Sequence, residues 1–366
     1  MVTQVISGAH PGGFADCQPD AFGNGGLPLE PPTSTKIVMA NENGSVTYIL
    51  GSGFTFVNGV PTGGMITSME HRTSDGSVLL HKLEGLTHSL AQAYGYFDDA
   101  NLEGLYEFIF GGADTFTVTV SSDGTELRGF GGADTMTGGG GSDTIEGGLG
   151  NDTIDGGAGN DTVEGGLGND ILRGGTNTAV GDTVTYASAT SDVTVNLGLK
   201  GAQITGGAGT DTLTLFENLI GGSGNDTLTG NKLANVLDGG SGDDKLSGGK
   251  DKVVDTFVFG NGDGHDTIMD LTFDKKIPAN DDQIDLSDMG LSDYTTGVYD
   301  KMTQVGRNVV IDFHGDGTDT LTIIKTTIAI LDAHQSSFGS GVAAYQWQCP
   351  GNLSIASLAR CWQGAA

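Results

Sequence analysis

The sequence predicts an all-β fold: a right-handed parallel β-roll in two blocks, with a small β-rich N-terminal domain and a C-terminal cap. Two observations carry this prediction. A nine-residue repeat rich in glycine and aspartate fills the middle of the chain, and 64 of the 366 residues are glycine. Stretches in which apolar and polar residues alternate, as they do in half-buried strands, flank the repeat on both sides.

The repeat has the pattern G-G-x-G-x-D-x-U-x, in which U is an apolar residue. Five units run without a break from Gly129 to Arg173, and a second block extends from Gly206 to Ser247. Glycine at positions one, two and four permits positive φ angles and lets successive backbones approach closely. Positions seven to nine form a short strand whose apolar residue points inward, and two units make one coil. The inward residues are Met136, Ile145, Ile154, Val163, Leu172, Leu213, Leu228, Leu237 and Leu246.

Position six of eight units is an aspartate. Units eighteen residues apart stack on the same side, so each edge of the first roll should carry a column of carboxylates. Carboxylates a few ångströms apart repel one another unless a cation lies between them. Ca²⁺, with six to eight oxygen ligands, suits turns rich in backbone carbonyls better than Mg²⁺, which requires a tight octahedron. These aspartates are Asp134, Asp143, Asp152, Asp161, Asp170, Asp211, Asp226 and Asp244.

These units resemble the RTX (repeats-in-toxin) hemolysin-type calcium-binding repeat of proteins exported by type I secretion. The resemblance implies that several Ca²⁺ ions lie between stacked turns, held by the position-six aspartates and by carbonyl groups at positions one and three. The unit from Gly230 to Asp238 has Asn235 in place of the aspartate, so we expect a weak site there. The implied carbonyl ligands are Gly129, Gly131, Gly138, Gly140, Gly147, Leu149, Gly156, Ala158, Gly165, Leu167, Gly206, Ala208, Gly221, Ser223, Gly239 and Ser241.

The charge of the chain agrees with a cation as its partner. Its 46 Asp and Glu residues against 16 Lys and Arg give a formal net charge of −30. This charge excludes nucleic acid as a partner, because phosphate contacts need Lys and Arg. One apolar residue in nine cannot offset the roughly 1–2 kcal/mol per residue lost on ordering the backbone. Metal binding must therefore supply folding free energy, and we expect the rolls to be disordered at cytosolic calcium and to fold outside the cell.

The flanking segments suggest seven regions. Residues 257–287 are similar to the cap that closes the roll in the serralysin C-terminal domain. After Thr320 the sequence predicts a final strand and helix up to Phe338. The resemblance of this segment to the end of RTX proteins implies an uncleaved C-terminal signal that a type I exporter recognises. No N-terminal secretory signal and no membrane-spanning stretch are visible. The predicted regions are a flexible arm (1–33), a β-rich domain (34–128), the first roll (129–177), a linker of two strands (178–205), the second roll (206–260), a cap with a secretion signal (261–338) and an atypical tail (339–366).

Within the N-terminal domain, five strands precede two predicted helices, Leu86 to Gly95 and Asp99 to Phe108. The sequence contains no H-E-x-x-H zinc motif and no G-x-S-x-G nucleophile elbow. The polar residues that could form an unrecognised site are His71, His81 and His88 with Glu70 and Glu84.

Three functions remain open, and the sequence assigns no catalytic residue. The first is a secreted, non-catalytic calcium-binding protein that contacts a glycan or a cell surface. The second is an auxiliary module similar to the polysaccharide-binding repeats of mannuronan C5-epimerases. The third is a secreted hydrolase whose N-terminal site carries no recognisable motif.

Overall fold

A computed structural model describes residues 3–7, 36–40, 46–57, 60–72, 79–89, 112–120, 124–177, 180–273, 281–291, 294–335 and 338. It divides into two compact units, Met1–Asn231 and Lys232–Ala366. Nearly all regular structure in the described ranges is β, and most strands of the repeat region pair in parallel. The predicted all-β fold with a parallel roll is confirmed. The predicted limits of its domains stay a prediction.

An antiparallel sheet occupies the N-terminal part of the first unit. Its strands, in the order β1-β5-β4-β3-β2, are β1 (Thr3–Ser7), β2 (Lys36–Ala40), β3 (Val46–Val57), β4 (Val60–Arg72) and β5 (Leu79–Ser89). Strand β1 lies within the segment predicted to be a flexible arm. It also pairs in parallel with β6 (Thr115–Val120), so the meander is continuous with the roll.

The helix predicted to begin at Leu86 is wrong as far as Ser89. Strand β5 continues through these residues because it pairs with the neighbouring strand β4 on both sides of a register shift, up to Ser68↔Glu84 and again at Ile66↔His88 and Met65↔Ser89. Tertiary pairing therefore overrides the local helix propensity of this stretch. The rest of that helix, and the helix predicted over residues 99–108, lie outside the described residues.

The first roll is built from two parallel ladders on opposite faces. Its strands are β7 (Glu126–Arg128), β8 (Thr135–Thr137), β9 (Thr144–Leu149), β10 (Thr153–Ala158), β11 (Thr162–Leu167) and β12 (Ile171–Thr176). Strands β6, β8, β10 and β12 form one ladder, and β7, β9 and β11 form the other. Ile154 lies opposite both Met136 and Leu172, at the eighteen-residue period, and all three are at most 1% exposed.

The linker contains three strands where two were predicted. They are β13 (Thr183–Thr185), β14 (Thr194–Asn196) and β15 (Gln203–Gly206), followed by β16 (Gly209–Thr214), β17 (Asn218–Ile220) and β18 (Thr227–Thr229). Strands β13 and β17 extend one face of the first roll and β16 extends the other. Strand β15 folds back on β16 as an antiparallel hairpin, and β14 pairs in parallel with β18.

The second unit has its own ladders and a small cap. Its strands are β19 (Val236–Asp238), β20 (Lys245–Ser247), β21 (Thr256–Val258), β22 (His265–Ile268), β23 (Gln283–Asp285), β24 (Met302–Val305), β25 (Asn308–Asp312) and β26 (Thr320–Ile323). Parallel pairs join β19-β21-β23 and β20-β22-β26, and β25 and β24 add to β26 in antiparallel fashion. Two short helices are α1 (Tyr294–Gly297) and α2 (Ile328–Ala333). Strand β26 and helix α2 confirm the strand and helix predicted after Thr320.

Gly150 provides a test of how closely the coils stack. Its φ is +128°, and a Cβ there would overlap the carbonyl oxygen of Gly132 in the preceding coil. We expect Gly150→Ala to lower the free energy of unfolding by more than about 3 kcal/mol, because backbone strain of about 1–3 kcal/mol adds to a steric clash. Urea unfolding in saturating calcium measures the loss.

Gly201 is the matched control for this variant. Its φ is +125°, but no atom lies within 4 Å of the position that a Cβ would take. Gly201→Ala should therefore cost the backbone strain alone, about 1–3 kcal/mol. If the two variants lose the same free energy of unfolding, the close approach of the coils at Gly150 does not contribute to the cost of the substitution.

Candidate metal centre

The position-six aspartates link successive coils through one carboxylate oxygen. The Oδ1 atom of Asp152 accepts a hydrogen bond from the backbone N–H of Asp134 at 2.8 Å, and Asp170 accepts one from Asp152 at 2.9 Å. On the opposite edge, Asp161 accepts from Asp143 at 2.8 Å. All five of these side chains are 1% exposed. The two carboxylate columns predicted for the first roll are therefore present.

The second oxygen of these carboxylates, Oδ2, differs from Oδ1 in its hydrogen bonding. The Oδ2 atoms of Asp134, Asp143, Asp152, Asp161 and Asp170 are buried and have no hydrogen-bond partner. A Cβ on Gly147 would overlap both Oδ2 of Asp152 and the carbonyl oxygen of Gly165, and Gly129 and Gly138 repeat this arrangement. Two acceptor oxygens thus converge beside each of these three position-one glycines. Such an arrangement is unfavourable in a buried place unless a cation lies between the oxygens.

The position-three carbonyls of the first roll take part in the stacking. The carbonyl oxygens of Leu149, Ala158 and Leu167 accept hydrogen bonds of 2.7 to 2.8 Å from the N–H groups of Gly132, Gly141 and Gly150 in the preceding coil. Each carbonyl oxygen keeps a second lone pair. Gly131 and Gly140 lie one coil earlier, bridged to Leu149 and Ala158.

This donor set fits a hard cation. Among the residues that the structure describes, no three Asp, Glu, His or Cys side chains converge on one point. A cation in these turns therefore depends on carboxylate and backbone carbonyl oxygens together, which is the ligand chemistry that Ca²⁺ prefers.

Two aspartates of the second block have both oxygens bonded to the protein. The Oδ2 atom of Asp211 accepts hydrogen bonds from the Tyr186 hydroxyl at 3.0 Å and the Thr205 hydroxyl at 3.1 Å. In Asp226, Oδ1 accepts the N–H of Val193 at 2.8 Å and Oδ2 accepts the N–H of Gly222 at 2.6 Å.

The other predicted ligands of the second block fall into two groups. In the first unit, Gly206 lies in the β15–β16 hairpin and Gly221 follows β17. The Ala208 carbonyl oxygen accepts a hydrogen bond from the N–H of Gly168 at 2.9 Å. The N–H of Ser223 donates to the carbonyl oxygen of Ala189 at 3.0 Å. In the second unit, a Cβ on Gly239 would overlap Oδ2 of Asp244, as in the first roll, and Ser241 precedes the bridge from Gly242 to Gly264.

Asp182 in the first unit, and Asp255 and Asp266 in the second, accept the same kind of hydrogen bond, and the repeat pattern did not select them. Asp182 accepts the N–H of Asp161 at 2.9 Å, Asp255 accepts the N–H of Asn235 at 3.0 Å, and Asp266 accepts the N–H of Asp244 at 2.9 Å. The Oδ2 atom of Asp266 is also buried without a hydrogen-bond partner. The signal was available, because each of the three begins the sequence D-T-U.

The polar cluster of the N-terminal domain is divided by the strand register. His71 lies opposite His81, whereas His88 lies opposite Ile66, five residues away along β4. Five residues of a strand span about 17 Å, so the backbone keeps His88 apart from the other two histidines. Glu84 lies opposite Ser68, and Glu70 lies opposite Lys82. The side chains of His71, His81, His88, Glu70 and Glu84 are outside the described residues.

Burial raises the pKa of the ladder carboxyl groups when no cation is bound. The pKa of Asp134, Asp143 and Asp170 rises from 3.8 to about 7, that of Asp161 to about 6, and that of Asp266 to about 8. Burial is the largest cause, and the stacked carboxylates raise these values further. The pKa of Asp152 is also raised, for the same first reason.

The raised pKa values predict how calcium binding depends on pH. Without calcium, the folded roll loses stability as pH rises from about 4 to about 7, because unfolded carboxyl groups ionise in that window before folded ones do. With calcium present, protons compete for the same oxygens. Calcium affinity should therefore be constant above about pH 8 and fall as pH drops through about 7 and 6. Calcium titrations at constant ionic strength measure this, and an affinity unchanged down to about pH 5.5 would contradict it.

The comparisons with known proteins agree with this chemistry. The family model of the RTX calcium-binding nonapeptide repeat (4 copies) matches residues 128–163, 146–178 and 219–252. These stretches are RTX calcium-binding repeats. The RTX matches contain the five aspartates of the first roll together with Asp226 and Asp244, and they leave out Asp211 and all residues after 252. No curated protein matches the chain.

Among solved structures, the chain is similar to the crystal structure of the extracellular lipase LipA from Serratia marcescens. The two share 17% identity over 59% of this chain and 38% of the lipase, with a TM-score of 0.24. The chain thus spans little more than a third of the length of that lipase. The serralysin-like identity of the C-terminal region stays a prediction. No helix in the described part of the chain is long and apolar enough to cross a membrane.

Proposed function

We propose that this protein is a secreted, non-catalytic calcium-binding protein whose rolls fold on binding Ca²⁺ outside the cell. The observation that carries the proposal is the row of five buried Oδ2 atoms in the first roll, each without a hydrogen-bond partner. Carbonyl oxygens accompany these atoms where a position-one glycine leaves room. A buried site that presents only acceptors needs a cation, and the oxygen-only ligand set favours Ca²⁺.

The residues proposed to hold the ions follow from this arrangement. In the first roll they are the aspartates from Asp134 to Asp170 with the carbonyl groups of the position-one glycines. In the second unit they are Asp244, whose Oδ2 lies against Gly239, and Asp266. Bound Ca²⁺ would supply positive charge between the stacked carboxylates and so link one coil to the next.

Calcium counting tests this function directly. Native mass spectrometry and titration calorimetry on the full chain should find several bound Ca²⁺ ions, with Mg²⁺ binding far more weakly because it requires a tight octahedron. A chain that binds no calcium, or that binds both ions equally, would overturn the proposal.

Secretion is the second part of the proposal. It is supported by the RTX repeats. In a host that carries a type I exporter, the full chain should reach the medium, whereas a chain without residues 320–338 should stay inside. If both chains are exported, the secretion signal lies outside residues 320–338.

A cleft in the first unit supports a binding role for the folded roll. Leu149 and Leu167 pair across two coils, are 60% and 55% exposed, and line a cleft of about 740 Å³ with Arg128 and Phe130. We expect the calcium-loaded protein to retain members of a glycan array through this cleft. Leu149→Ser with Leu167→Ser should abolish retention without changing the number of bound ions. If the calcium-loaded protein retains no member of the array, glycan binding is excluded from the proposal.

A further inference from the structure

We propose that residues 182–220 form a calcium-independent cap, which ends both carboxylate columns of the first roll with hydrogen bonds from the protein in place of cations. The inference rests on the proposed function, because it concerns where the row of calcium sites stops. It divides the aligned aspartates into two kinds: those whose Oδ2 atom needs a cation, and those whose Oδ2 atom already has protein donors.

The first column ends at Asp211. Its Oδ1 atom continues the ladder by accepting the N–H of Asp170 at 3.0 Å. Its Oδ2 atom accepts the hydroxyl groups of Tyr186 and Thr205, which are 3% and 0% exposed. Burial and the neighbouring carboxylate of Asp211 raise the pKa of Tyr186, so this hydroxyl stays protonated and remains a donor. The Tyr186 hydroxyl donates to this Oδ2 atom. The single Thr205 proton is shared between Asp211 Oδ2 and the carbonyl oxygen of Gly209, which lies 3.0 Å from Thr205 Oγ1. Asp211 therefore has a protein donor where Asp152 has none.

The second column ends at Asp182 in a similar way. Its Oδ1 atom accepts the N–H of Asp161, and its Oδ2 atom accepts the side-chain amide of Asn177 at 3.2 Å. The N–H of Asp182 donates to Oε2 of Glu217 at 3.0 Å, so a glutamate replaces the next aspartate of the column. The first column thus finishes on donors from within residues 182–220, whereas the second finishes on the Asn177 amide, just before this segment, and on the Glu217 carboxylate within it.

The cap also has the apolar core that the repeats lack. Nine buried apolar side chains occupy the 39 residues from 182 to 220, against five in the 45 residues from 129 to 173, about twice the density. This core can hold the segment together without ions, since buried apolar area is the main favourable term in folding. The nine residues are Val184, Tyr186, Ala189, Val193, Val195, Ala208, Leu213, Phe216 and Leu219.

Two further features separate the cap from the repeats. The β15–β16 hairpin is antiparallel and local in sequence, so this pairing does not need a coil eighteen residues away, whereas β16 also pairs in parallel with β12 of the first roll. Gln203 fastens it to β14, because its Oε1 atom accepts the N–H of Asn196 at 2.8 Å. In addition, the matches to the RTX repeat stop at residue 178 and resume at residue 219, so they omit most of the cap.

Hydrogen exchange of the full chain tests the inference. In chelator, amides of residues 182–220 should exchange slowly and those of residues 129–173 rapidly. With calcium, both segments should be protected. Rapid exchange of residues 182–220 in chelator would overturn the cap while leaving the proposed function intact. A first roll that gains no protection from calcium would instead overturn the proposed function.

Matched substitutions test the two kinds of aspartate. Asp152 and Asp211 are both 1% exposed and both accept a ladder N–H, but only Asp211 has donors for its second oxygen. Asp152→Asn should lower the calcium count by at least one, and Asp211→Asn should leave it unchanged. An equal loss of ions from the two variants would overturn the inference. Tyr186→Phe should speed exchange of residues 182–220 in chelator about tenfold or more, with the calcium count unchanged.

Discussion

Chelation of calcium is expected to abolish the β-structure of the first roll, and this is the largest effect that we predict. The reason is electrostatic. Keeping a buried carboxylate ionised against a pKa of about 7 costs several kcal/mol, at about 1.4 kcal/mol per tenfold change in proton affinity. Asp134, Asp143 and Asp170 have this pKa, that of Asp161 rises to about 6 and that of Asp152 is also raised. Their combined cost is comparable with the roughly 5–15 kcal/mol that stabilises an ordinary domain. Far-UV circular dichroism at neutral pH, in chelator and in calcium, measures the change.

Magnesium provides the control for this experiment. Added calcium should restore the spectrum, whereas magnesium at the same concentration should restore little of it. The β-signal that remains in chelator should come from the antiparallel N-terminal sheet and from residues 182–220. A spectrum that chelator leaves unchanged would show that the first roll folds without ions.

Asp152→Ala is expected to be the most damaging substitution of an aspartate in the first roll. Asp152 lies at the centre of its column, so the change removes an Oδ2 atom from the ion sites and also removes the acceptor for the buried N–H of Asp134. An unpaired buried donor alone costs about 1–3 kcal/mol, and the lost ion adds to it. We expect a total loss of about 3 kcal/mol or more in calcium, measured by urea unfolding.

Asp155→Ala is the matched control on the same strand. Asp155 is half-exposed and pairs with Arg173 at 2.6 Å, so it belongs to the surface rather than to the ladder. Exposed ion pairs contribute about 1 kcal/mol or less. A loss from Asp155→Ala as large as that from Asp152→Ala would mean that charge in general, and not the position in the column, sets the stability of the roll.

The roll could be predicted because its information is local and periodic. Glycine, aspartate and one apolar residue return at fixed positions in nine, and eighteen residues separate stacked neighbours such as Asp134 and Asp152. No longer-range knowledge is needed to place either the inward side chains or the carboxylate columns. Whether the Oδ2 atom of an aligned aspartate has a protein donor could not be predicted in this way, because it depends on which side chains lie beside that atom.

Asp211 shows the limit of periodic information. Its unit fits the repeat as well as its neighbours do, yet its Oδ2 atom accepts from Tyr186, twenty-five residues earlier and outside any repeat. Only the fold of the linker brings the two together. Asp266 shows the converse. Its turn has the D-T-U signal, but Asn261 stands where the first glycine of a unit would be, so the pattern did not select it.

The helix predicted at Leu86 was wrong for a different reason. Glu84 and His88, which lie on either side of Leu86, pair with β4, and this tertiary pairing decides the conformation over local propensity.

The carboxylate ladder has a direction. In each of its bonds, the N–H belongs to the earlier residue and the accepting aspartate to the later one, as from Asp134 to Asp152 and from Asp244 to Asp266. Deleting a coil at the N-terminal end therefore frees acceptors, which water can satisfy. Deleting one at the C-terminal end leaves buried donors without partners. An array of this kind can gain or lose units at its N-terminal end at little cost, so variation in length should accumulate there while the C-terminal end stays fixed.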